Sequence, residues 1–204
     1  MSRRSAVALL LVGLAALFVI VVAFRKVNHD SSSAAEVHGP ASQFDGAILP
    51  AGLRAPDFSL RDQHGRPVTI REYRGRPLFL TFLYSHCMDT CPVEAQQLKG
   101  ALDDIGKNVP VLAISVDPPN DTPASIARFN AEQGVGDRIR WVVGSRAQLA
   151  RLWKKFGVTG QTKQAEHIAH IFLVDRRGFE RVGFPAQQVT PEDLAHDMNV
   201  LLKE

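Results

Sequence analysis

Residues 77–105 read PLFLTFLYSHCMDTCPVEAQQLKGALDDI, and this stretch decides the fold. Its first part, Pro77 to Tyr84, is a continuous apolar run of the kind found in central strands that are covered on both faces. Its second part repeats apolar side chains at helical spacing, at Leu98, Ala101, Leu102 and Ile105. The stretch therefore predicts a buried strand followed by a helix, with Cys87 and Cys91 between the strand and the N-terminus of the helix.

Outward from this unit, strands and helices alternate along the chain. Further strands are predicted at Phe58–Leu60, Pro67–Ile70, Val109–Val116, Ile139–Val143, Ala169–Val174 and Phe179–Phe184, the first two and the last two as hairpins. Helices are predicted after the capping residues Thr122, Ser145 and Thr190. This order predicts an α/β fold, a thioredoxin-like sandwich with an N-terminal hairpin extension.

The first fifty residues differ in composition from the rest. Residues 6–24 read AVALLLVGLAALFVIVVAF, nineteen residues without a charge, which span ~28 Å as a helix and match the hydrocarbon core of a bilayer. Arg25 and Lys26 follow where a cleaved signal peptide has small residues, so we predict one uncleaved transmembrane signal-anchor, with cleavage near Ser31–Ala35 as the alternative. The predicted parts are a cytoplasmic N-terminus (1–5), the transmembrane helix (6–24), a flexible tether (25–50) and a folded domain (51–204). The predicted location is a bacterial inner membrane, single-pass, with the soluble domain in the periplasm or on an equivalent extracytoplasmic side.

The charge of the chain excludes one class of partner. The net charge is +3, and no block of lysine or arginine occurs. A nucleic-acid-binding surface has such a basic cluster. We therefore expect no nucleic acid as a partner, and contact with the membrane through the N-terminal helix.

The chain has two cysteines, Cys87 and Cys91, close together in the sequence. A disulfide between them would close a loop of a few residues and add little stability, which favours a chemical role. A thiol at a helix N-terminus faces unpaired N–H groups and the positive end of the helix dipole, and both favour the reactive thiolate. Two geometries bring the sulfurs together. One is a helical turn over 87–91; in the other Pro92 keeps Cys91 out of the α region, so that it caps the helix, with Cys87 on a separate loop or turn.

Two converging thiolates suit a soft metal such as Cu(I), or Zn(II), and need a third ligand. Among seven histidines, His86 adjoins Cys87 and is expected to point away from the sulfur, while His170 lies inside a strand, as a packed core residue does. His167 stands at the end of the Gly157–Glu166 loop, just before that strand, where a loop residue can reach the edge of a neighbouring site. The remaining histidines are expected to be structural or solvated: His29, His38, His64 and His196.

Four motifs carry a resemblance to a known family: Ala55–Leu60 (APDFSL), Phe82–Pro92 (FLYSHCMDTCP), Ser115–Pro123 (SVDPPNDTP) and Glu166–Asp175 (EHIAHIFLVD). In this order the domain resembles the Sco/SenC/PrrC family of membrane-tethered copper-binding proteins with a thioredoxin fold. The resemblance implies Cys87, Cys91 and His167 as the copper ligands. The chain departs from the family pattern at Met88, where proline is usual, and at Glu166, where aspartate is usual. Neither departure removes a ligand.

The resemblance further implies a copper chaperone for cytochrome c oxidase. Such a protein delivers copper, as Cu(I) or Cu(II), to the binuclear CuA centre in oxidase subunit II, or reduces the thiols of that centre before loading. Cys87 and Cys91 would be the redox pair, and oxidation to a disulfide would remove two of the three ligands. An upstream copper donor and a thiol reductant are the other implied partners.

Three alternatives use the same cysteines. A thiol–disulfide oxidoreductase without a metal role usually has Cys-x-x-Cys and a neighbouring cis-proline, whereas this chain lacks that spacing and has no proline between Pro123 and Pro185. A peroxiredoxin-like peroxidase has a Cys-Pro-x-Glu context similar to Cys91–Glu94, but it also needs a hydroxyl residue where Met88 stands. The third alternative is a structural disulfide on a tethered binding module.

Overall fold

The computed structural model describes residues 42–160 and 170–204, and the predicted α/β class is confirmed there. Its strands are β1 (Ala47–Ile48), β2 (Ser59–Asp62), β3 (Pro67–Thr69), β4 (Leu78–Leu83), β5 (Val111–Ser115), β6 (Ile139–Val143), β7 (His170–Val174) and β8 (Glu180–Pro185). Its helices are α1 (Thr90–Ile105), α2 (Pro123–Glu132), α3 (Arg146–Phe156) and α4 (Pro191–Lys203). Each predicted strand corresponds to one of these strands, with ends that differ by at most two residues.

The described strands form one mixed sheet in the order β1-β8-β7-β4-β5-β6-β2-β3. β4, β5 and β6 are parallel to one another, while β7 runs antiparallel to β4, and β8 antiparallel to β7. All six residues of β4 are buried, which explains the continuous apolar run in the sequence. The predicted hairpin extension is confirmed as β2 and β3, and β2 joins it to the sheet by pairing with β6.

Helices cover both faces of this sheet. α1, α2 and α4 pack on one face through residues such as Leu98, Phe129 and Met198. α3 packs on the opposite face through its buried side chains, Leu149, Leu152 and Trp153. Both cysteines belong to the hydrophobic cluster between the sheet and α1, α2 and α4. The candidate site therefore lies on the α1 face, beyond the carboxyl end of β4.

Three helices begin where the sequence predicts. Thr122, Ser145 and Thr190 each accept a hydrogen bond from the amide N–H three residues further on, and the side chain at that later position bonds back to the cap. This capping box gives partners to N–H groups that have none within the helix. The starts of α2, α3 and α4 are therefore determined by local sequence.

The sheet begins earlier than predicted, inside the segment assigned to the tether (25–50). β1 pairs with β8, and the N–H groups of Asp45 and Gly46 donate to the Asp197 carboxylate of α4 at 2.8 and 3.0 Å. Asp197 is fully buried. The neighbouring His196 bonds through Nδ1 to the carboxylates of Asp45 and Asp197. A two-residue strand is too short to show alternation in the sequence. Residues 42–50, which were assigned to the tether, thus belong to the folded domain.

No helix among residues 42–160 and 170–204 is long and apolar enough to cross a bilayer. The predicted transmembrane helix (6–24) and most of the predicted tether lie outside the described residues, so both stay predictions.

Candidate metal centre

The two cysteines lie between β4 and α1, and neither predicted backbone arrangement is followed in full. Cys87 belongs to a turn after the strand, and its N–H donates to the Tyr84 carbonyl at 3.2 Å. α1 begins at Thr90, so Cys91 is its second residue rather than its cap. Pro92 is tolerated as the third residue because N–H groups of the first turn have no partner within the helix.

The Cys87 sulfur takes the place of a capping side chain. Asp89 is the N-cap residue of α1 but makes no side-chain capping bond; instead, the Cys91 N–H donates to Cys87 Sγ at 3.2 Å. The Thr90 hydroxyl lies 3.7 Å from this sulfur, and the Cys91 thiol, the Asp89 N–H and the Tyr84 side chain contribute to the lowered pKa of Cys87. A sulfur surrounded by donors at the positive end of a helix is stabilised as the thiolate.

These hydrogen bonds give the two sulfurs opposite protonation states. The bond from the Cys91 thiol has the largest effect, and together with the backbone donors it lowers the pKa of Cys87 to about 4, although burial opposes this. The pKa of Cys91 is raised far above its usual range, because its proton is held by Cys87 and its side chain is buried. At neutral pH the pair therefore consists of one thiolate and one thiol.

A buried acid, Glu94, lies three residues after Cys91 in α1. One of its carboxyl oxygens shares a hydrogen bond with the Thr81 hydroxyl of β4, and the other oxygen has no partner among the described residues. The Thr81 hydroxyl also donates to the His170 carbonyl at 3.1 Å. Burial, with the Cys87 charge as the second cause, raises the pKa of Glu94 well above its ordinary value. Glu94 is therefore a neutral acid that can donate to Thr81.

A second buried acid, Asp121, fixes the loop that carries Cys87. Its carboxylate accepts hydrogen bonds from the Ser85 N–H at 2.7 Å and from the Ser115 hydroxyl at 2.5 Å. Ser115 ends β5, so Asp121 connects the cysteine loop to the neighbouring strand. Burial raises the pKa of Asp121, although these bonds oppose the effect. Asp121 therefore organises the loop beside the cysteine pair.

The described histidines nearest the pair are engaged elsewhere. His86 is exposed, and its ring nitrogens contact Ser85 Oγ at 3.2 Å and the Arg128 guanidinium at 3.4 Å, as expected for a ring that points away from Cys87. The His170 ring stacks on Phe172 of the same strand, with 6.0 Å between ring centroids, and the residue is half-buried rather than part of the core. His167 lies outside the described residues, and its role as the third ligand stays a prediction.

A helix that begins beside two cysteines occurs in several thioredoxin-like families, and comparison with known proteins separates them. The family model described as SCO1/SenC matches residues 49–203. The chain belongs to the SCO1/SenC family.

Named relatives of this SCO1/SenC chain come from mitochondria and bacteria. It is 32% identical over 125 residues to Protein SCO2 homolog, mitochondrial, of Bos taurus, a match that covers 59% of this chain and 46% of the relative. It is 28% identical over 156 residues to Protein SenC of Rhodobacter capsulatus, covering 71% and 69%. Bradyrhizobium japonicum ScoI, solved with copper bound, is 29% identical with a TM-score of 0.61, covering 72% of this chain and 99% of that chain. The chain spans about half the length of the mitochondrial SCO2 relatives that it matches.

Sequence reasoning missed two residues beside the cysteine pair, Glu94 and Tyr84. Glu94 stands within the apolar stripe of α1, between Cys91 and Leu98. A carboxylate at a core-facing helical position is the signal that identifies such a residue. Tyr84 has no comparable signal, because its contact with Cys87 depends on the turn that follows β4.

Glu94→Gln is expected to change the pH dependence of stability in this SCO1/SenC domain. Because its pKa is raised in the folded chain, the folded state holds a proton that the unfolded state releases above the ordinary glutamate pKa. Glu94 therefore lowers the free energy of unfolding as pH rises through that window, with a limiting slope of ~1.4 kcal/mol per pH unit. The variant lacks this loss, so we expect the free energy of unfolding of the variant, relative to that of wild type, to rise with pH above the ordinary glutamate pKa, by up to that slope.

Urea unfolding of the reduced, metal-free chain at several pH values measures this difference. Glu132→Gln, an exposed carboxyl on α2, is the matched control and should run parallel to wild type. Parallel curves for Glu94→Gln and wild type would mean that Glu94 is ionised in the fold.

Proposed function

We propose that this chain is a membrane-tethered copper chaperone that binds copper through Cys87, Cys91 and His167 and assists maturation of the CuA centre of cytochrome c oxidase. The observation that carries the proposal is the cysteine pair itself. Cys87 Sγ accepts the Cys91 N–H at 3.2 Å just before α1, and the hydrogen bond from the Cys91 thiol lowers the pKa of Cys87. Membership of the SCO1/SenC family and the copper-bound Bradyrhizobium japonicum relative favour copper over zinc.

The donor set fits Cu(I), because thiolates and imidazole are ligands that this soft cation accepts. Cys87 offers a thiolate without first losing a proton. Cys91 loses its proton as the second copper–sulfur bond forms, so loading releases a proton from the pair. His167 supplies a neutral imidazole nitrogen as the third ligand in this proposal.

The same pair supports reduction of the CuA thiols. The Cys87 thiolate attacks one sulfur of a disulfide in the target, and the other target sulfur leaves as a thiolate. Cys91 then loses its proton and displaces the first target sulfur. The target gains two electrons, Cys87 and Cys91 become a disulfide, and a thiol reductant restores them. The disulfide form lacks two of the three ligands, so reduction and delivery are alternative states of one site.

In this proposal the N-terminal segment sets the location and the partners. A transmembrane helix at 6–24 and a tether that begins at residue 25 hold the domain on the periplasmic side of a bacterial inner membrane. Oxidase subunit II is the recipient, and an upstream copper donor and the thiol reductant complete the set of partners.

Copper titration of the reduced and the oxidised full chain tests the proposed function. We expect the reduced chain to bind an equimolar amount of Cu(I), with sulfur and nitrogen ligands in its X-ray absorption spectrum, and the disulfide form to bind none. Equal binding by both forms, or no binding by the reduced form, contradicts the proposal. Rapid turnover of a generic disulfide without copper binding would favour the oxidoreductase alternative.

A further inference from the structure

Met88 is the most exposed large apolar side chain among the described residues. It is 94% exposed, whereas the other described methionine, Met198 of α4, is fully buried. Methionine is usually an interior residue. Met88 also lies directly after Cys87, so the one exposed thioether in the described chain stands at the candidate metal centre.

The two cysteine residues are much less exposed than Met88. Cys87 is 5% exposed and Cys91 is 0% exposed. A metal ion that arrives from solvent, or from another protein, therefore meets Cys87 before Cys91. First contact therefore differs from full coordination by the pair.

The thioether has the chemistry that a first contact with Cu(I) needs. Sulfur ligands such as thioether and thiolate select Cu(I), and a neutral thioether has no proton to lose. The unbranched methionine side chain has three rotatable bonds, so its sulfur can follow an ion over a range of positions. The exposed imidazole beside Cys87, that of His86, is already engaged by Ser85 and Arg128.

We propose that Met88 is an entry ligand for Cu(I), which is held first between Met88 Sδ and Cys87 Sγ and then passes to the cysteine pair. As the bond to Cys91 Sγ forms, the bond to Met88 Sδ breaks and the Cys91 thiol proton goes to solvent. Copper remains Cu(I), so the step needs no oxidant or reductant. The inference rests on the proposed function, because it assumes that the cysteine pair binds copper.

Methyl NMR of the full chain in detergent tests the entry complex directly. The chain has three methionines, and labelling with [methyl-13C]methionine gives each a signal, with that of Met88 assigned by its loss in Met88→Leu. In a Cys91→Ser background, which stops transfer but keeps a hydroxyl donor to Cys87, we expect anaerobic Cu(I) to shift the Met88 signal and leave that of Met198 in place.

Affinity in the same background gives a second readout. Met88→Leu keeps the apolar bulk and removes the sulfur, and we expect it to weaken Cu(I) binding by at least the ~10-fold that loss of an outer-shell partner already costs. Val93→Ala is the matched control, because Val93 is a neighbouring exposed apolar side chain at 48% exposure, and it should leave the affinity unchanged.

Several results would overturn the inference. An unshifted Met88 signal, an unchanged affinity in Met88→Leu, or an equal loss in Val93→Ala would each show that Met88 is not an entry ligand. If wild type binds Cu(I) but neither the Met88 signal nor the affinity of Met88→Leu changes, this inference alone fails. If reduced wild type binds no Cu(I), the proposed function fails as well.

Discussion

Replacing Cys87 or Cys91 with serine is expected to abolish chelator-resistant copper binding, and His167→Ala is expected to weaken it severely. Each cysteine supplies a thiolate, so a serine variant retains a single anionic sulfur for a cation that prefers soft ligands. His167→Ala removes a neutral ligand, and we expect a loss larger than the ~10–100-fold typical for an outer-shell partner. Competition of the anaerobic, reduced full chain with a Cu(I) chelator measures both effects.

His64→Ala is the matched control for His167→Ala. His64 lies in the turn between β2 and β3, where its ring contacts Asp137, so its removal should leave copper stoichiometry and affinity unchanged. Unchanged stoichiometry and affinity in His167→Ala would falsify the assignment of His167 as a ligand. The cysteine assignment is tested separately, by the two serine variants.

Alkylation of Cys87 in the metal-free chain is expected to be nearly independent of pH between about pH 5 and 8. The thiolate is the reacting form, and the pKa of Cys87 is lowered to about 4. The thiolate fraction is therefore almost complete over this range and falls only as pH drops through that value. An ordinary cysteine of pKa ~8.5 loses ~1000-fold of its thiolate between pH 8 and pH 5.

The rate constant for iodoacetamide, with the modified residue identified by peptide mass, measures this profile. Its shape carries the information, because a thiolate of low pKa is also a weaker nucleophile and its absolute rate is modest. Cys91→Ala removes the strongest donor to Cys87, so the midpoint should move to higher pH, and Tyr84→Phe should move it in the same direction. A wild-type midpoint near that of a free cysteine would rule out the thiolate at Cys87.

Much of the fold is predictable because its decisive signals are local. The starts of α2, α3 and α4 depend on a capping side chain and the residue three positions later, both of which are visible in the sequence. β4 is predictable because a strand buried on both faces is apolar throughout. β1 was not predictable. The residues just before it, Asp45 and Gly46, are held by the Asp197 carboxylate, which is about 150 residues away in the sequence.

The candidate site was predictable in its position but not in its protonation. The place of Cys87 and Cys91 between a strand and a helix follows from apolar spacing alone. Which sulfur holds the proton depends on the turn geometry at Asp89 and Tyr84 and on the burial of Cys91. Of the two predicted geometries, the one in which Pro92 keeps Cys91 out of the helix is not observed, because the first turn of α1 accommodates a proline.

The bonds from Asp45 and Gly46 to Asp197 also have a mechanical consequence. Tension along the chain upstream of Phe44 reaches the domain through the buried Phe44 side chain, through these two bonds and through the pairing of β1 with β8. β1 forms one rim of the sheet, and β8 and β7 separate it from β4. If the proposed membrane anchor pulls on the domain, we therefore expect β1 to detach from the sheet first. β4, the strand that leads to the two sulfurs, then stays in place.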